Sequence, residues 1–386
     1  MSKKIVRFID LFSGIGGFHT ALSNNGCTCV FSSEIDKDCI EVYRDNYGME
    51  SGINICEVKT SDLPDFDVLC GGFPCQTFSK AGKQAGMNDT RGTLFFEIQR
   101  ILEVKRPKYL MLENVRNLVS HDNGNTWKVI TENLKSLGYR LTKDPIILSP
   151  HQFGIPQLRE RVFILGYYDP EHIDTPIEIN IPETHDKNTN SIYTILDPTE
   201  KGYKITKEEE RVLNIWDEFY KGVKEKKIGF PVWLDYMFFS GDLSQFPMWK
   251  QDFIRKNQTL YQNNKKFIDK WLKKHNNLED LTPTHRKFEY QAGTDIDTIW
   301  EGVIQFRPSG IRVKRPTCFP ALVAMVQIPI IGRYKRRLSV KECGRLQSFP
   351  DSFNPCGNQQ QAYKQFGNSV NVKVVELLYN ELIKYK

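Results

Sequence analysis

The residues best suited to chemistry begin with a cysteine in a loop rich in glycine and proline. The segment Gly71-Gly72-Phe73-Pro74-Cys75-Gln76 closes a short apolar run, residues 67–70, which is typical of a buried strand that ends in a tight loop. Loops at the carboxyl edge of a parallel sheet are where side chains meet ligands. A thiol there is able to attack a substrate, although a lone Pro-Cys pair is more often structural. Cys75 is therefore a candidate nucleophile that needs support from its neighbours.

Charged side chains follow two further apolar runs. Glu113 follows the strand pattern of residues 108–112, where a carboxyl group could act as an acid or anchor a substrate ring, or simply cap a helix. Arg159 and Arg161 precede the run 162–166. Because they stand at alternate positions, their side chains are expected on one face of the strand. There they could hold a ring oxygen or a phosphate. The alternative is that they are only the exposed, charged start of a strand.

A glycine-rich turn predicts a nucleoside site. Phe12-Ser13-Gly14-Ile15-Gly16-Gly17 follows the first strand pattern and opens a helix, so the backbone there can approach a ligand. Glu34 lies 20 residues beyond Gly14, at the end of the second strand pattern, where such folds place an acid for the ribose. Dinucleotide binding requires a third glycine, but His19 stands in its place, which favours S-adenosylmethionine over NAD.

The order of elements predicts an α/β fold. Strand patterns at 5–12, 28–32, 67–70, 108–112 and 161–166 alternate with helical patterns at 17–25, 97–104 and 125–137, which favours a largely parallel sheet covered on both faces. Proline, threonine and asparagine cluster at 169–197. Five of the six tryptophans lie between Trp216 and Trp300, which indicates a second domain with its own core. A final helix is predicted within 370–385.

Composition narrows the class of protein. The 386 residues are 40% apolar and 26% charged, without an apolar run long enough for a membrane span and without room for a signal peptide before the first strand. The nine cysteines show no metal-ligand spacing, so free thiols in a reducing cytoplasm and no bound metal are expected. The segment from Val303 to Arg345 contains ten lysines and arginines and one acidic residue. This excess of positive charge favours a polyanionic partner over a surface that contacts only solvent.

Seven ordered segments carry a resemblance to a known family. They are residues 10–18, the loop 72–76, 91–96, 113–115, 157–161, 337–350 and 367–370. Together they resemble the motifs of the bacterial DNA (cytosine-5) methyltransferases, the modification enzymes of type II restriction–modification systems. The resemblance covers about 1–167 and 335–386. It implies a Rossmann-like S-adenosylmethionine-dependent methyltransferase domain with a mixed, mostly parallel sheet, and methyl transfer to carbon 5 of a cytosine flipped out of a short duplex DNA sequence.

The same resemblance implies the roles of the catalytic residues. Cys75 would add to carbon 6 of the ring, and Glu113 would anchor ring nitrogen 3 and the amino group. Arg161 would contact the ring carbonyl or orient Glu113. Arg159 is a candidate for a phosphate contact or a structural role. Free thiols have a pKa of about 8.5, so local help in forming the thiolate is expected.

The implied cofactor site draws on both ends of the chain. Glu34 would bind the ribose, Ile35 stands where the family often has Trp, and Asn54 stands where Asp commonly accepts from the adenine amino group. Less stacking and less charge are therefore expected around the adenine. The full set comprises Phe12, Gly14, Ile15, Gly17, Glu34, Ile35, Asn54, Ile55, Gly72, Phe73, Pro74, Leu94, Asn368, Ser369 and Val370.

The predicted organisation is a catalytic domain, 1–185 completed by 355–386, into which a target-recognition domain and hinge, 186–354, is inserted. The expected enzyme is a monomer of the bacterial cytoplasm that acts on double-stranded DNA, with or without a cognate restriction endonuclease. Its nearest rival is a tRNA cytosine-5 methyltransferase, which usually carries Pro-Pro-Cys-Gln instead of Phe73-Pro74-Cys75-Gln76. A DNA-binding regulator with a decayed site is disfavoured by the presence of Cys75, Glu113 and Arg161 together.

Overall fold

The computed structural model describes residues 5–74, 94–226, 228–322 and 327–385. Its helices are α1 Gly17–Asn24, α2 Lys37–Tyr47, α3 Leu94–Lys105, α4 Asn125–Ser136, α5 Lys207–Gly222, α6 Leu234–Met237, α7 Met248–Lys274, α8 Val340–Leu346, α9 Gln359–Asn368 and α10 Val372–Leu382. Its strands are β1 Arg7–Leu11, β2 Thr28–Ser33, β3 Val68–Gly72, β4 Tyr109–Val115, β5 Tyr139–Leu141, β6 Ile146–Leu148, β7 Gln157–Leu158, β8 Arg161–Tyr168, β9 Val232–Trp233, β10 Lys287–Gln291, β11 Val303–Arg307, β12 Gly310–Lys314, β13 Phe319–Pro320, β14 Ile330–Ile331 and β15 Arg336–Arg337.

The chain forms two compact units. The first contains the described residues up to 190, 321–322 and those from 343 onward, and the second contains 191–320 and the described residues up to 342. The second unit is therefore an insertion in the first. The limits of the two units describe which residues pack together and say nothing of function. The roles predicted for them, catalysis and recognition, stay predictions.

The sheet of the first unit has the order β2-β1-β3-β4-β8-β5, with β6 also paired to β8. The first four strands are parallel, and β8 runs antiparallel to β4, β5 and β6. Strands β1, β3, β4 and β8 are mostly buried, as expected for a sheet covered on both faces, whereas β2 and β6 are partly buried. The fold is the predicted α/β class with a mixed sheet. In the parallel register Gly72 lies opposite Glu113, so the loop after β3 and the end of β4 meet at one edge.

The carboxyl-terminal helix belongs to this first unit. Helix α10 packs on α1, and the buried Cys27 Sγ donates to Tyr379 Oη at 3.0 Å. The hydroxyl of Tyr109 in β4 donates to the backbone oxygen of Tyr385 at 2.6 Å. The last residues of the chain are thereby fixed to the same sheet that carries Glu113.

The second unit is built on a sheet of order β15-β14-β11-β12-β10-β9. Helices α5 and α7 contribute buried residues to one core together with one face of that sheet. The Trp216 ring of α5 stacks on Phe288 of β10 at 4.9 Å, and Tyr220 stacks on Tyr290 at 3.9 Å. The tryptophan-rich region therefore forms its own hydrophobic core, as the sequence predicted for a second domain.

None of the helices in the described part of the chain is long and apolar enough to cross a membrane. Within the same residues, no cluster of three His, Cys, Asp or Glu side chains has a geometry that could hold a metal ion.

The basic segment 303–345 carries less unopposed charge than its sequence indicates. Among the described residues, at least seven of its ten bases form ion pairs. Five of the six acids in these pairs lie outside the segment. The pairs are Arg307 and Arg312 with Glu289, Arg315 with Asp295, Lys335 with Glu210, Arg336 with Glu342, Arg337 with Glu209, and Arg345 with Asp351.

Candidate active site at the carboxyl edge of the first sheet

Glu113 lies near the end of β4 with only 8% of its surface exposed. Burial raises the pKa of its carboxyl group above the ordinary value, and the nearby Arg161 and Arg159 only partly offset this effect. The carboxyl oxygen Oε2 would lie 3.5 Å from a side chain added at Gly72, so Glu113 faces the start of the Cys75 loop. Such a carboxyl group retains a proton more readily than an exposed one and can donate it to a bound ring.

Arg161, the first residue of β8, forms an ion pair with Glu113. Its Nε lies 2.9 Å from Oε1 of Glu113, while Nη1 donates to the backbone oxygen of Glu160 at 2.8 Å. The side chain of Arg161 is 20% exposed. It is therefore held at the edge of the sheet with part of its guanidinium group open to a ligand.

Arg159 is buried, with 2% of its surface exposed. Its Nη2 donates to the backbone oxygen of Ser369 at 2.8 Å, and its backbone N–H donates to Ser149 Oγ at 2.9 Å. Burial lowers the pKa of Arg159 to about 9, helped by Arg161 and opposed by Glu113, so it stays protonated at neutral pH. Because β8 begins only at Arg161, the strand alternation expected from the sequence does not extend to Arg159. The structure places Arg159 between the backbone of Ser369 and the charge of Glu113.

The candidate nucleophile Cys75 lies outside the described residues, as do residues 91–93 of the family-like segment 91–96. The structure describes the residues just before Cys75. Phe73 is buried and Pro74 is exposed. The amide of Asn114, which is 3% exposed, donates to the backbone oxygen of Phe73 at 2.7 Å. The chain therefore enters the Cys75 loop directly beside Glu113.

The glycine-rich turn has the conformation that its residues predict. Gly14 and Gly16 have φ of +53° and +83°, and a side chain added at Gly14 would meet no atom within 4 Å. Phe12 also has a positive φ, 55°, which is rare for a bulky residue and is found mostly at functional sites. Ile15 is buried under the turn. The turn thus leaves open space above Gly14 at the carboxyl end of β1.

Glu34 closes this space from the end of β2. Its Oε2 accepts from the backbone N–H of Gly14 at 2.8 Å, and its Oε1 accepts from those of Ile35 and Asp36 at 2.8 and 2.9 Å. The carboxylate is therefore fixed by three amides. Each oxygen of a carboxylate has two lone pairs, so Oε2 keeps one for a further donor.

The residues expected around an adenine lie beside Glu34. Ile35 is 74% exposed, and Ile55 is buried. The Oδ1 atom of Asn54 accepts from the backbone N–H of Cys56 at 3.2 Å, and its Nδ2 donates to Glu57 Oε1 at 2.8 Å. Asn54 thus caps a short turn with the oxygen that the sequence assigned to a ligand, although that oxygen retains a second lone pair.

The segment near the carboxyl terminus meets the glycine-rich turn. A side chain added at Gly17 would lie 2.7 Å from Ser369 Oγ and 3.0 Å from the backbone oxygen of Val370, so the two segments touch only because Gly17 is glycine. Val370 is buried, Asn368 is exposed, and Leu94 at the start of α3 is partly buried. The structure therefore brings Gly17, Ser369 and Val370 together, as expected.

The motifs and this geometry agree with the comparison to known families. The family model for the C-5 cytosine-specific DNA methylases matches residues 6–384. The chain belongs to this family. It is a DNA methyltransferase that transfers a methyl group to carbon 5 of cytosine.

Relatives of this methyltransferase support the same assignment. It is 33% identical to the type II methyltransferase M.AluI of Cellulosimicrobium cellulans, over 98% of this chain and 92% of that protein. It is 31% identical to M.HhaI of Haemophilus parahaemolyticus, over 97% and 94%. Solved structures of Spodoptera frugiperda DNMT2 and the Entamoeba histolytica methyltransferase EhMeth share its fold. Their TM-scores are 0.55 and 0.56 at 18% and 16% identity, over 98–99% of this chain and 99% of theirs.

The family depends on S-adenosylmethionine, and the turn of this methyltransferase fits that molecule. The buried hydroxyls of Ser13 and Ser33 have no hydrogen-bond partner among the described residues, and the backbone N–H of Ser13, next to Gly14, donates to the backbone oxygen of Ser33 at 3.0 Å. Buried polar atoms of this kind usually have a partner, so they are suited to a polar ligand or water. The oxygen of Glu34 and the exposed face of Ile35 border the open space above Gly14.

Two supporting residues of the methyltransferase were not identified from the sequence. Asn114, which holds the backbone of Phe73, stood inside a recognised motif, so its buried amide could have been assigned a role. Tyr47 gave no local signal. Its hydroxyl donates to the backbone oxygen of Gly16 at 2.8 Å, and its ring fills the space beside that glycine.

Proposed function

We propose that Cys75 is the nucleophile of this methyltransferase, and that it adds to carbon 6 of a cytosine extruded from a specific duplex DNA sequence. The observation that supports this most strongly is the position of Glu113, a buried carboxyl group with a raised pKa that faces Gly72 at the start of the Cys75 loop. A target base is out of reach inside a duplex, so the base must leave the stack.

The protons and electron pairs follow from these residues. The Cys75 thiolate forms a bond to carbon 6, and the ring electrons move toward nitrogen 3, where Glu113 donates a hydrogen bond or its proton. Carbon 5 then becomes nucleophilic and accepts the methyl group of the sulfonium, whose sulfur leaves as the thioether of S-adenosylhomocysteine. Water, as the base, takes the proton from carbon 5, and the electron pair of that bond re-forms the double bond between carbons 5 and 6 and expels the thiolate. Nitrogen 3 returns its proton to Glu113. Arg161 holds the Glu113 carboxyl through its Nε and presents its remaining donors to the ring oxygen.

S-Adenosylmethionine, when bound, supplies the methyl group as a sulfonium. Glu34 would accept from the ribose, and the Gly14–Gly17 turn, with the amino end of α1, would hold the amino-acid part. Ile35, Asn54 and Ile55 would border the adenine. Phe73, Pro74, Leu94, Asn368, Ser369 and Val370 would complete the walls.

We assign recognition of the DNA sequence to the second unit. It is the part of the chain that the family motifs do not cover, and it has its own sheet and core. A tRNA substrate, the alternative considered from the sequence, is the second candidate and is disfavoured. The identity of more than 30% to type II DNA methyltransferases favours DNA, whereas the resemblance to DNMT2 concerns the fold.

A trapping experiment tests the nucleophile. Bisulfite sequencing of a plasmid from cells that express the chain identifies the methylated sequence. A duplex with 5-fluorocytosine at that position is then incubated with the protein and S-adenosylmethionine. Because fluorine at carbon 5 cannot leave as a proton, the wild type should form a stable covalent adduct.

The Cys75→Ala variant should form no adduct. The matched control is Cys56→Ala, which removes an exposed thiol far along the sequence from the loop and should trap DNA as the wild type does. An adduct with Cys75→Ala, or none with the wild type on a duplex that it methylates, would contradict the proposal. Methylation of tRNA but of no duplex would favour the second candidate.

A further inference from the structure

The second unit contains a carboxylate that holds two arginines. The side chain of Glu289 in β10 is 16% exposed. Its Oε2 accepts from Arg307 Nη2 at 2.5 Å and from Arg312 Nε at 3.0 Å, and its Oε1 accepts from Gln291 Nε2. Three donors hold this carboxylate, and two of them are arginines. Its effect is to fix the orientation of the two guanidinium groups.

The strand register places this cluster on one face of the sheet. Phe288, Tyr290, Ile304, Ile311 and Val313 point into the core with α5 and α7. Because side chains alternate along a strand, the residues between them lie on the opposite face. There Glu289 is paired with Arg312, and Arg312 with Gln305, in a row across three strands.

Both arginines have donors to spare. Arg312 uses only its Nε on Glu289, and no partner of its Nη1 or Nη2 is found in the part of the chain that the structure describes. Arg307 uses Nη2, while its Nε is buried without a partner among the same residues. The Nη pair of an arginine matches two acceptors in a plane, as presented by guanine O6 and N7 or by a phosphate.

The charge of this face suits a polyanion. On β10, β11 and β12, its ionisable side chains are Lys287, Glu289, Arg307, Arg312 and Lys314, four bases and one acid. Lys314 is half-buried, and burial together with the charge of Arg312 lowers its pKa. Crowded positive charge of this kind is relieved when an anion binds.

We propose that this polar face, formed by Lys287, Glu289, Gln305, Arg307, Arg312 and Lys314, docks the duplex DNA substrate, with Arg312 contacting a pair of acceptors and Glu289 acting as the positioning residue for Arg312. The inference rests on the proposed function, because it assumes that the second unit reads DNA. It adds the face of the unit and the residues that make the contact.

The test measures binding of the full chain to a 30-base-pair duplex that carries the methylated sequence, with a scrambled duplex beside it. Arg312→Ala should weaken binding about 5- to 100-fold, the range for one bidentate contact. Arg312→Lys keeps the charge and loses the planar pair of donors, so it should recover little of the affinity. A loss confined to the methylated sequence identifies a base contact. An equal loss on both duplexes, with a smaller salt dependence, identifies a phosphate contact.

The Glu289→Gln variant distinguishes a role of Glu289 in orienting Arg312 from a direct effect of its negative charge. Removing a negative charge near DNA should tighten binding if Glu289 acts only through its charge. If Glu289 orients Arg312, binding should weaken, by up to the loss seen with Arg312→Ala. The control is Lys270→Ala, which removes an exposed positive charge from α7, the helix that packs on the other face of the sheet, and should change affinity less than 2-fold.

Wild-type affinity of Arg312→Ala, or tighter binding of Glu289→Gln, would overturn the inference. Thermal unfolding and S-adenosylmethionine affinity of each variant show that both units are folded. Adduct formation by the wild type through Cys75 tests the proposed function separately. A wild type that traps DNA, alongside variants that bind normally, would refute only the assignment of this face.

Discussion

Two clusters of one glutamate and two arginines lie on the two sheets, and they differ in the direction in which the pKa of the glutamate is shifted. In the first unit Glu113 is close to Arg161 and Arg159, yet burial raises its pKa. In the second unit burial acts in the same direction on Glu289, but Arg312 and Arg307 lower its pKa overall. The residue types are the same, so the difference comes from geometry.

The number of donors on each carboxylate explains the difference. Glu289 receives hydrogen bonds from both arginines and from Gln291, and each stabilises the ionised form. Glu113 has one close cation, Arg161, while the donors of Arg159 are directed to the backbone of Ser369 and Leu322. A carboxylate held by several donors orients its neighbours, whereas a buried carboxyl group with fewer donors is available for proton transfer.

The largest expected effect concerns the proton on Glu113. Glu113→Gln preserves the shape of the side chain but removes its acid, so the methylation rate should fall about 10²- to 10⁴-fold. S-Adenosylmethionine affinity should change little. The measurement is single-turnover methylation of the duplex with the methylated sequence. Glu160→Gln, which removes a half-exposed carboxylate paired with Arg116, is the control and should stay within 2-fold of the wild type. Equal losses in both variants would show that the loss does not come from the acid of Glu113.

A smaller effect should distinguish Arg159 of the first cluster from Arg312 of the second. Arg159→Lys leaves a buried charge that cannot reach the backbone oxygen of Ser369 in the same geometry, so the free energy of unfolding should fall by about 2 kcal/mol. Urea unfolding measures this change. The salt dependence of DNA binding should stay that of the wild type, in contrast to Arg312→Ala if Arg312 contacts a phosphate. A reduced salt dependence for Arg159→Lys would mean that both clusters contact DNA.

The sequence predicted the strands well because their signal is local. The pattern at 108–112 became Tyr109–Val115, and the helix expected at 17–25 became Gly17–Asn24. It could not give the direction of β8, since a buried strand is a run of apolar residues whether it runs parallel or antiparallel to its neighbour. The contact of the carboxyl-terminal segment with the glycine-rich turn was expected only through the family resemblance.

The candidate site was predictable in position and less so in function. Glu113 and Arg161 were expected at the edge of the sheet, and the structure pairs them there. The burial of Arg159 was not, because the spacing of two arginines says nothing about which one the carboxyl-terminal segment covers. Nor could the sequence show that Glu289 lies between Arg307 and Arg312, residues separated from it by 18 and 23 positions. Long-range ion pairs determine which bases stay available to a ligand.

The smallest predicted effect has opposite signs in the two clusters. Because the folded-state pKa of Glu113 is raised, its ionised form is disfavoured by folding, and the cost appears as the pH rises through that pKa. Because the pKa of Glu289 is lowered, its ionised form stabilises the fold above the unfolded pKa of about 4.3, and this contribution is lost as the pH falls.

At pH 8, Glu113→Gln should therefore raise the free energy of unfolding by about 1 kcal/mol, and Glu289→Gln should lower it by about the same amount. Urea unfolding at pH 8 and pH 4 measures both. At pH 4, below the unfolded pKa of about 4.3, each variant should approach the wild type, because the wild-type carboxyl group of Glu113 is then protonated and that of Glu289 begins to lose its ionised advantage. Changes of the same sign at pH 8 would show that the two carboxylates have equivalent environments. For one residue type, only a difference in the surrounding hydrogen-bond donors can reverse the sign of the change in the free energy of unfolding.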